Sequence, residues 1–419
     1  MTDDLQKKLR RLGVVKGADA ITKPPPKTVA PPGQKSPGSL PGKVVQTEYG
    51  VFWLDKREYP SDAYHGNHSF SLMTGVLQQD LSVFGVYGLG PHPAFVDTET
   101  TGLAGGAGTI AFLIGIGVWD SQGLVIHLVF VRNPDEELPA LHYVADILAT
   151  CTGLVTYNGR AFDLPLLQTR FIMNRMAPNW LDLPHLDLLL VARRLWQDHL
   201  PSRRLGDVEQ HILGITRTDE DLPSYLIPYF YRQYLETGDT AEMRKVIYHN
   251  VIDVLTLVSL LIHTTIMVSQ PEQMNLAATE WAGVGTVYDK AGSTQKALAA
   301  WERALALTDS FLPHNCLARL CGSMGSYYKR RVSWEKALAI WDLWVEQVPD
   351  AVNPLVEKAK FYEWTAGNSE QALRETEIAL SRVERFYEGY QQERLLDALN
   401  HRKHRLELKL QHVNADESE

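Results

Sequence analysis

The sequence predicts an α/β domain, a mixed sheet flanked by helices, followed by an all-α region of helical repeats. Two observations carry this expectation. Between residues 44 and 264, apolar runs of strand character are interleaved with segments whose apolar residues recur at helical spacing. Beyond residue 270 the strand candidates stop, and Ala, Trp, Tyr, Glu and Lys recur with a helical period. At 419 residues the chain is long enough for two or three domains with buried cores. Its composition, 45% hydrophobic and 22% charged, is that of a globular protein.

Residues 1–45 carry nine Lys/Arg against three Asp, a net of +6, which leaves −15 on the remainder of a chain whose net charge is −9. Within this segment ITKPPPKTVAPPGQKSPGSLPGK (21–43) has no apolar period and is expected to be extended or disordered, a solvated basic linker. The acidic body argues against a sequence-independent basic groove of the histone kind. It does not exclude a metal-dependent nuclease, because bound divalent cations offset local carboxylates. No stretch approaches the about 18 apolar residues needed to span a bilayer, so no membrane partner is expected. MTDDLQKKLRRLG lacks the apolar segment of a secretory signal. Three cysteines without a CxxC pattern point to reduced thiols and a cytoplasmic location.

The α/β domain is placed at 46–268. It opens with short β-like segments around VVQTEYGVFWL (44–54), and GLGPHP (88–93) breaks any earlier element. AFVDTET (94–100), TIAFLIGIGVWD (109–120) and LVIHLVFVRNP (124–134) then read as three strands of a meander, with SQG (121–123) as a hairpin turn. Gly105, Gly106 and Gly108 read as a turn and not a phosphate loop, since no GK[ST] follows. A helix is expected over 135–150, a fourth strand over 153–157 and a helix over 162–175. HLDLLLVARRLW (185–196) reads as a helix or a strand-to-helix transition. Segments 203–213, 225–235 and 240–264 complete the domain as helices.

The helical region is placed at 270–412. Trp281, Gly285, Tyr288, Ala297, Trp301 and Ala304 form one unit. Gly325, Tyr328, Ala337 and Trp341 repeat it forty residues later, with Pro349 in register, and Gly367, Ala372 and Ala379 begin a weaker third unit. This resembles the tetratricopeptide pattern, in which small residues let paired helices approach and large ones fill the gaps. Its repeats recur about every 34 residues, so the longer shift implies an insertion near 308–314. The resemblance implies a surface for a protein partner.

Asp97 and Glu99 end a buried strand two residues apart, hence on one face. Two carboxylates so placed suit Mg²⁺ or Mn²⁺, which prefer hard oxygen ligands. Asp163 lies at a strand–helix junction behind Asn158-Gly159, and reads either as part of the same site or as a helix N-cap. Asp253 lies in the apolar run YHNVIDVLTLVSLL (248–261), with His249 one helical turn before it. Four such acids form the kit for two-metal phosphodiester hydrolysis, with a neighbouring His or Tyr to orient or deprotonate the water.

In that order, FVDTETTGL (95–103), YNGRAFDLPLL (157–167) and HNVIDVLTL (249–257) resemble the three motifs of the DEDD exonucleases, within the ribonuclease H-like superfamily. HLDLL (185–189) and RRLW (193–196) are similar to segments of its YprB-like branch. The resemblance covers 94–265. It implies a ribonuclease H-like fold and 3′→5′ exonuclease activity on DNA or RNA, with Asp97, Glu99, Asp163 and Asp253 as ligands of two Mg²⁺ or Mn²⁺ ions and His249 as general base. In the family a catalytic His stands five residues before the last Asp and a catalytic Tyr four before, whereas here His249 stands four before and Tyr248 five. His249 is preferred, because i to i+4 keeps it on the Asp253 face.

The resemblance also implies that Thr101, Gly102 and Leu103 lie beside the terminal nucleotide. Asn158 reads as a turn residue or a substrate contact, and Asp187 as a substrate contact, a further ligand or a helix cap. Arg193, Arg194, Arg203 and Arg204 read as a solvated helix face, with phosphate contact as the alternative. Two rivals remain: a structure-specific endonuclease built on the same site, and a scaffold whose repeats are the active surface and whose nuclease fold is silent.

Overall fold

The computed structural model describes residues 40–102, 108–120, 122–218, 222–307 and 312–416. The described residues from 40 onward form one compact unit. A seven-stranded mixed sheet lies at its centre. It is built from β1 (Lys43–Thr47), β2 (Gly50–Pro60), β5 (Pro93–Thr100), β6 (Ala111–Asp120), β7 (Gly123–Phe130), β8 (Gly153–Thr156) and β9 (His185–Asp187), in the order β1-β2-β7-β6-β5-β8-β9. A separate ribbon pairs β3 (Tyr64–His65) with β4 (His68–Ser69). The expected meander is β5, β6 and β7, antiparallel throughout. The β-like segment before it becomes the hairpin β1–β2, which extends the same sheet by antiparallel pairing of β2 with β7. On the other side β8 and β9 run parallel to β5.

Fourteen helices stand among the described residues. Within the sheet domain they are α1 (Met73–Leu77), α2 (Glu137–Ala149), α3 (Asp163–Met173), α4 (Leu188–Leu195), α5 (Leu205–Val208), α6 (Ile227–Thr237) and α7 (Ala241–Ser269). HLDLLLVARRLW resolves into strand β9 and then α4, while α5 gives way after four residues to a π-helical turn, Glu209–Leu213.

The alternating side chains of β5 separate two cores. Ala94 and Val96 join Ile114, Ile116, Leu141, Val144, Leu167 and Phe171 on the face covered by α2 and α3. Phe95 points to the opposite core, shared with α4, α6 and α7. Asp97 and Glu99 have the parity of Phe95, so they face α7. Helix α7 lies close against the sheet because β6 presents Gly115 opposite Asp97; a Cβ there would stand 2.1 Å from the Asn250 amide oxygen.

α7 also corrects one expectation. By length and composition it could cross a bilayer, yet 89% of its most apolar window is buried inside the protein. Its hydrophobicity is that of a core helix covered on nearly all sides.

The remaining helices are α8 (Ala278–Lys290), α9 (Thr294–Ala306), α10 (His314–Arg330), α11 (Trp334–Gln347), α12 (Asn353–Trp364), α13 (Ser369–Phe386) and α14 (Gly389–Asp416). The repeated sequence is a repeated packing. A Cβ on Gly285 would meet the Trp301 indole at 2.3 Å, and one on Gly325 the Trp341 indole at 2.4 Å. Ala297 and Ala337 are fully buried in the two units. Gly292 and Val332, also forty residues apart, both take left-handed backbone, with φ of 75° and 60°. Residues 308–311, where the insertion is expected, lie outside the described residues. The main hydrophobic core runs without a break from the sheet through α7 and α8 to Trp341.

Candidate active site

The site forms where β5 outruns its parallel neighbour. Pairing with β8 ends at Phe95–Val155, while β5 continues to Thr100, with a register shift between Glu99 and Thr100. The carboxyl ends of parallel strands open a crevice at such a place. A cavity of about 1300 Å³ opens here, lined by Asp97, Glu99, Asp163, His249 and Asp253 among others. Strand β5, the start of α3 and the middle of α7 thus bring all five residues to one wall.

Each carboxylate is held from inside the protein. The Asn250 amide, fully buried, donates to the Asp97 carboxylate at 2.8 Å and to its carbonyl at 3.3 Å. Thr98, on the opposite face of β5, donates to Asp163 at 2.5 Å. Asp163 is the first helical residue of α3; Phe162 occupies the cap position, so the N-cap alternative for Asp163 does not describe the structure. Glu99, Asp163, His249 and Asp253 are buried, and Asp97 is half-buried on the cavity floor.

The charges there are poorly compensated. Burial pushes the Asp97 carboxyl well above the ordinary range, reinforced by Asp253, Glu99 and Asp163. Burial raises Glu99 to about 8, with Asp253 and Asp163 adding to the shift while His249 and Arg217 oppose it. Burial likewise raises Asp163 to about 6, against the bond from Thr98. Asp253 is pushed up by burial although His249 and Arg217 pull the other way.

The cation nearest these acids is one that sequence reasoning missed. Arg217 grips the buried Glu209 with two hydrogen bonds of 2.6 Å and donates to Asp253. Its third reach is to Nδ1 of His249, at 3.1 Å. A guanidinium only donates, so this ring nitrogen accepts and the neutral ring carries its hydrogen on Nε2. Nε2 stands 3.4 Å from Asp253, 3.9 Å from Glu99 and 3.3 Å from the Ser224 hydroxyl. Glu209 sits at the start of the π-helical turn, a distortion common at functional sites. Thr256 donates to Glu209 at 2.7 Å and pairs with His65 at 3.1 Å, extending the network behind α7. Arg217 and Glu209 carry no periodic signal. Asn250 does: an amide in an apolar helical run, directly after His249, signals a buried partner.

The other expected residues divide. Tyr248 turns away, its hydroxyl accepting from Thr218 at 3.4 Å. Asn158 takes left-handed backbone (φ 67°) and lines the cavity. Asp187, open above to three roles, is a cap: its carboxylate accepts from the backbone N–H of Leu189 at 3.0 Å, of Asn158 at 2.8 Å and of Arg160 at 3.2 Å. It therefore fixes the Asn158 turn from behind. Thr101 closes the loop base, accepting from the Ile110 N–H at 3.0 Å. Gly102 lines a side cavity of about 460 Å³, on the Phe162 and Asp163 side of Glu99. Leu103 lies outside the described residues. Phe162 and Tyr225, 56% and 68% exposed, and Arg193, Arg203 and Arg204 line the larger cavity.

This donor set fits a divalent cation. It offers hard oxygen ligands, buried and held by hydrogen bonds, with Arg217 as the adjoining guanidinium and that one already committed to Glu209. The ligand atoms of Glu99, His249 and Asp253 lie within 4.8 Å of one another.

Comparison with known proteins agrees with this geometry. A family model described as RNase_H superfamily matches residues 94–265. The uncharacterized protein YprB of Bacillus subtilis (strain 168) is 37% identical over 227 residues, covering 52% of this chain and 54% of the relative. The chain thus spans about half the length of that curated relative. A family B DNA polymerase from the hyperthermophilic archaeon Pyrobaculum calidifontis aligns over 51% of this chain and 29% of its own, at 13% identity and a TM-score of 0.35, a likeness too slight to build on. Residues 94–265 are a domain of the RNase H superfamily.

Proposed function

We propose that this chain hydrolyses phosphodiester bonds of DNA or RNA, removing nucleotides from a 3′ end. The observation that carries the reading is the convergence of Asp97, Glu99, Asp163 and Asp253, from three separate elements, on one cavity with too little positive charge to balance them. These four residues would hold two Mg²⁺ or Mn²⁺ ions, which in such sites activate the attacking water and stabilise the leaving oxygen. Asn250 and Thr98 orient the Asp97 and Asp163 carboxylates. Arg217 fixes Asp253 through one oxygen and turns Nε2 of His249 toward Glu99 and Asp253.

His249 serves the nucleophile. With Nδ1 occupied by Arg217, the neutral ring offers an N–H at Nε2, which favours orienting the water over deprotonating it. A general base would need that hydrogen on Nδ1 instead, facing the guanidinium. Phe162 and Tyr225 offer faces on which bases stack. We further assign α8–α14 to a tetratricopeptide-like surface for a protein partner, on the Gly285–Trp301 and Gly325–Trp341 packing.

A degradation panel tests the reading. The protein with Mn²⁺ is expected to shorten 5′-labelled single strands stepwise and to release mononucleotide from 3′-labelled ones, with EDTA stopping both. Internal cuts producing large fragments would indicate an endonuclease. Inertness towards every substrate with all four carboxylates intact would leave the helical region as the active surface.

A further inference from the structure

Helix α4 is a wall shared by two cavities. Leu189 and Arg193 face the carboxylate cavity, where Arg203 and Arg204 also lie. Arg194 and Leu195 face a second cavity of about 480 Å³ formed with α8 and α10. Lys290 and Arg330 line this second cavity too, beside Gln197, Thr286 and Ser323. Two acids are present: Asp198, which pairs with Arg319, and Asp289. Arg194, Lys290 and Arg330 have no ion-pair partner among the described residues, in a chain whose body beyond residue 45 carries −15. Other cations of the helical region do have carboxylate partners: Lys358 stands between Asp342 and Glu375, and Glu363 binds Arg402, Arg405 and Lys409.

The junction is built, not loose. Trp196 Nε1 donates to Glu280 at 3.3 Å, and His199 pairs with Thr279 at 2.9 Å. These bonds hold α4 against α8 and keep the unmatched cations together. Cations clustered in a concavity raise the local concentration of anions and repel one another unless an anion joins them.

We propose that the second cavity seats phosphates of the substrate strand on the 5′ side of the end held at the carboxylates, with Arg193 and Arg194 carrying the backbone across α4. The proposal rests on the nuclease reading and adds its substrate class: a single strand longer than the first cavity holds, gripped by its phosphates without regard to sequence. The solvated-face reading of these arginines gives way because Arg193 and Arg194 open into two different concavities. The two sites also place the repeat region beside the catalytic domain for a reason other than docking a protein.

Fluorescence anisotropy tests it with the full chain in Ca²⁺, using labelled oligothymidylate of fifteen and of three residues. For the double variant Arg194→Glu, Arg330→Glu, affinity for the 15-mer is expected to fall at least tenfold. The ratio of 15-mer to trimer affinity is expected to fall with it. The dependence of log affinity on log salt should become shallower by about 0.7 for each phosphate that the variant no longer neutralises. Arg374→Glu, a single charge reversal on distant α13, is expected to have little effect. If the reversal variant melts low, Arg194→Ala with Arg330→Ala replaces it. An unchanged length preference, equal losses for both lengths, or an equal loss in Arg374→Glu would overturn the proposal. Hydrolysis in Mn²⁺ separates the two readings. Wild type that binds the 15-mer through these residues and cuts nothing removes the nuclease and keeps the groove; wild type that cuts with the variant's length preference does the reverse.

Discussion

Both ends of this molecule bury acidic side chains, and they handle the cost in opposite ways. In the helical region the Glu363 carboxylate is surrounded by Arg402, Arg405 and Lys409. Burial alone would push it up, but the hydrogen bonds from Arg405 and Lys409 win and hold it below the ordinary carboxylate range. In the sheet domain Arg217 donates to Asp253 and opposes the shift of Glu99, yet Asp97, Glu99, Asp163 and Asp253 are all pushed up. A buried acid whose cations belong to the chain is structural. A group of buried acids whose charge the chain leaves unbalanced is set for a cation from outside.

The comparison breaks most sharply under mutation. Asp97→Ala is expected to cut hydrolysis on the order of a thousandfold, since losing a ligand forfeits several kcal/mol of charge stabilisation in the transition state. Its metal-free melting temperature should hold or rise, because a repelled charge is removed. Glu363→Ala should do the opposite: destabilise by roughly 2 kcal/mol in a denaturant titration, by removing the acceptor of the charged hydrogen bonds from Arg402, Arg405 and Lys409, with hydrolysis per folded molecule retained. Equal loss of stability in both variants would erase the distinction.

Arg217→Ala and Glu209→Gln come next. Partners that orient metal ligands typically contribute about 10- to 100-fold in affinity or activity, and Mn²⁺ titration together with turnover should show losses in that range. His249→Gln separates orienting from deprotonating: a glutamine N–H can donate but takes no proton at neutral pH. It should keep more activity than His249→Ala, and equal loss in both would restore the base.

pH sharpens the same contrast. Glu99 stands at about 8 against an ordinary 4.5, so the folded metal-free protein binds the extra proton. Its contribution to stability is complete below pH 4.5 and disappears as pH rises through 8. Melting temperature in EDTA should therefore decline across that window, and Mn²⁺ should restore it while displacing protons. A flat profile would mean that Glu99 titrates normally. The smallest effect is at Val332, a β-branched residue in left-handed backbone where the preceding repeat has Gly292. Val332→Gly should stabilise by about 1 kcal/mol, read from chemical denaturation.

How much of this was legible in the sequence follows the range of each signal. The Asp97–Glu99 pair and the His249–Asp253 pair are local patterns, two and four residues apart, and the structure places each on one face. The meander, the strand-to-helix switch at 185–196 and the forty-residue repeat are local in the same sense. Arg217 was not legible: it sits in an irregular loop, and its partners stand 8, 32 and 36 residues away. Nor was the edge hairpin β1–β2, whose pairing to β7 spans a hydrophobic stretch that reads equally well as a separate element. Asp187 shows the limit of residue type alone, since cap, ligand and substrate contact all call for an aspartate, and only the three N–H groups around it decide.

The most direct test is calorimetric titration of Mn²⁺ into wild type, Asp97→Ala and Glu363→Ala at neutral pH. Two ions per chain are expected in wild type and Glu363→Ala, with at least one lost in Asp97→Ala. Wild type that takes up no ion, or Asp97→Ala that binds as wild type does, would contradict the account.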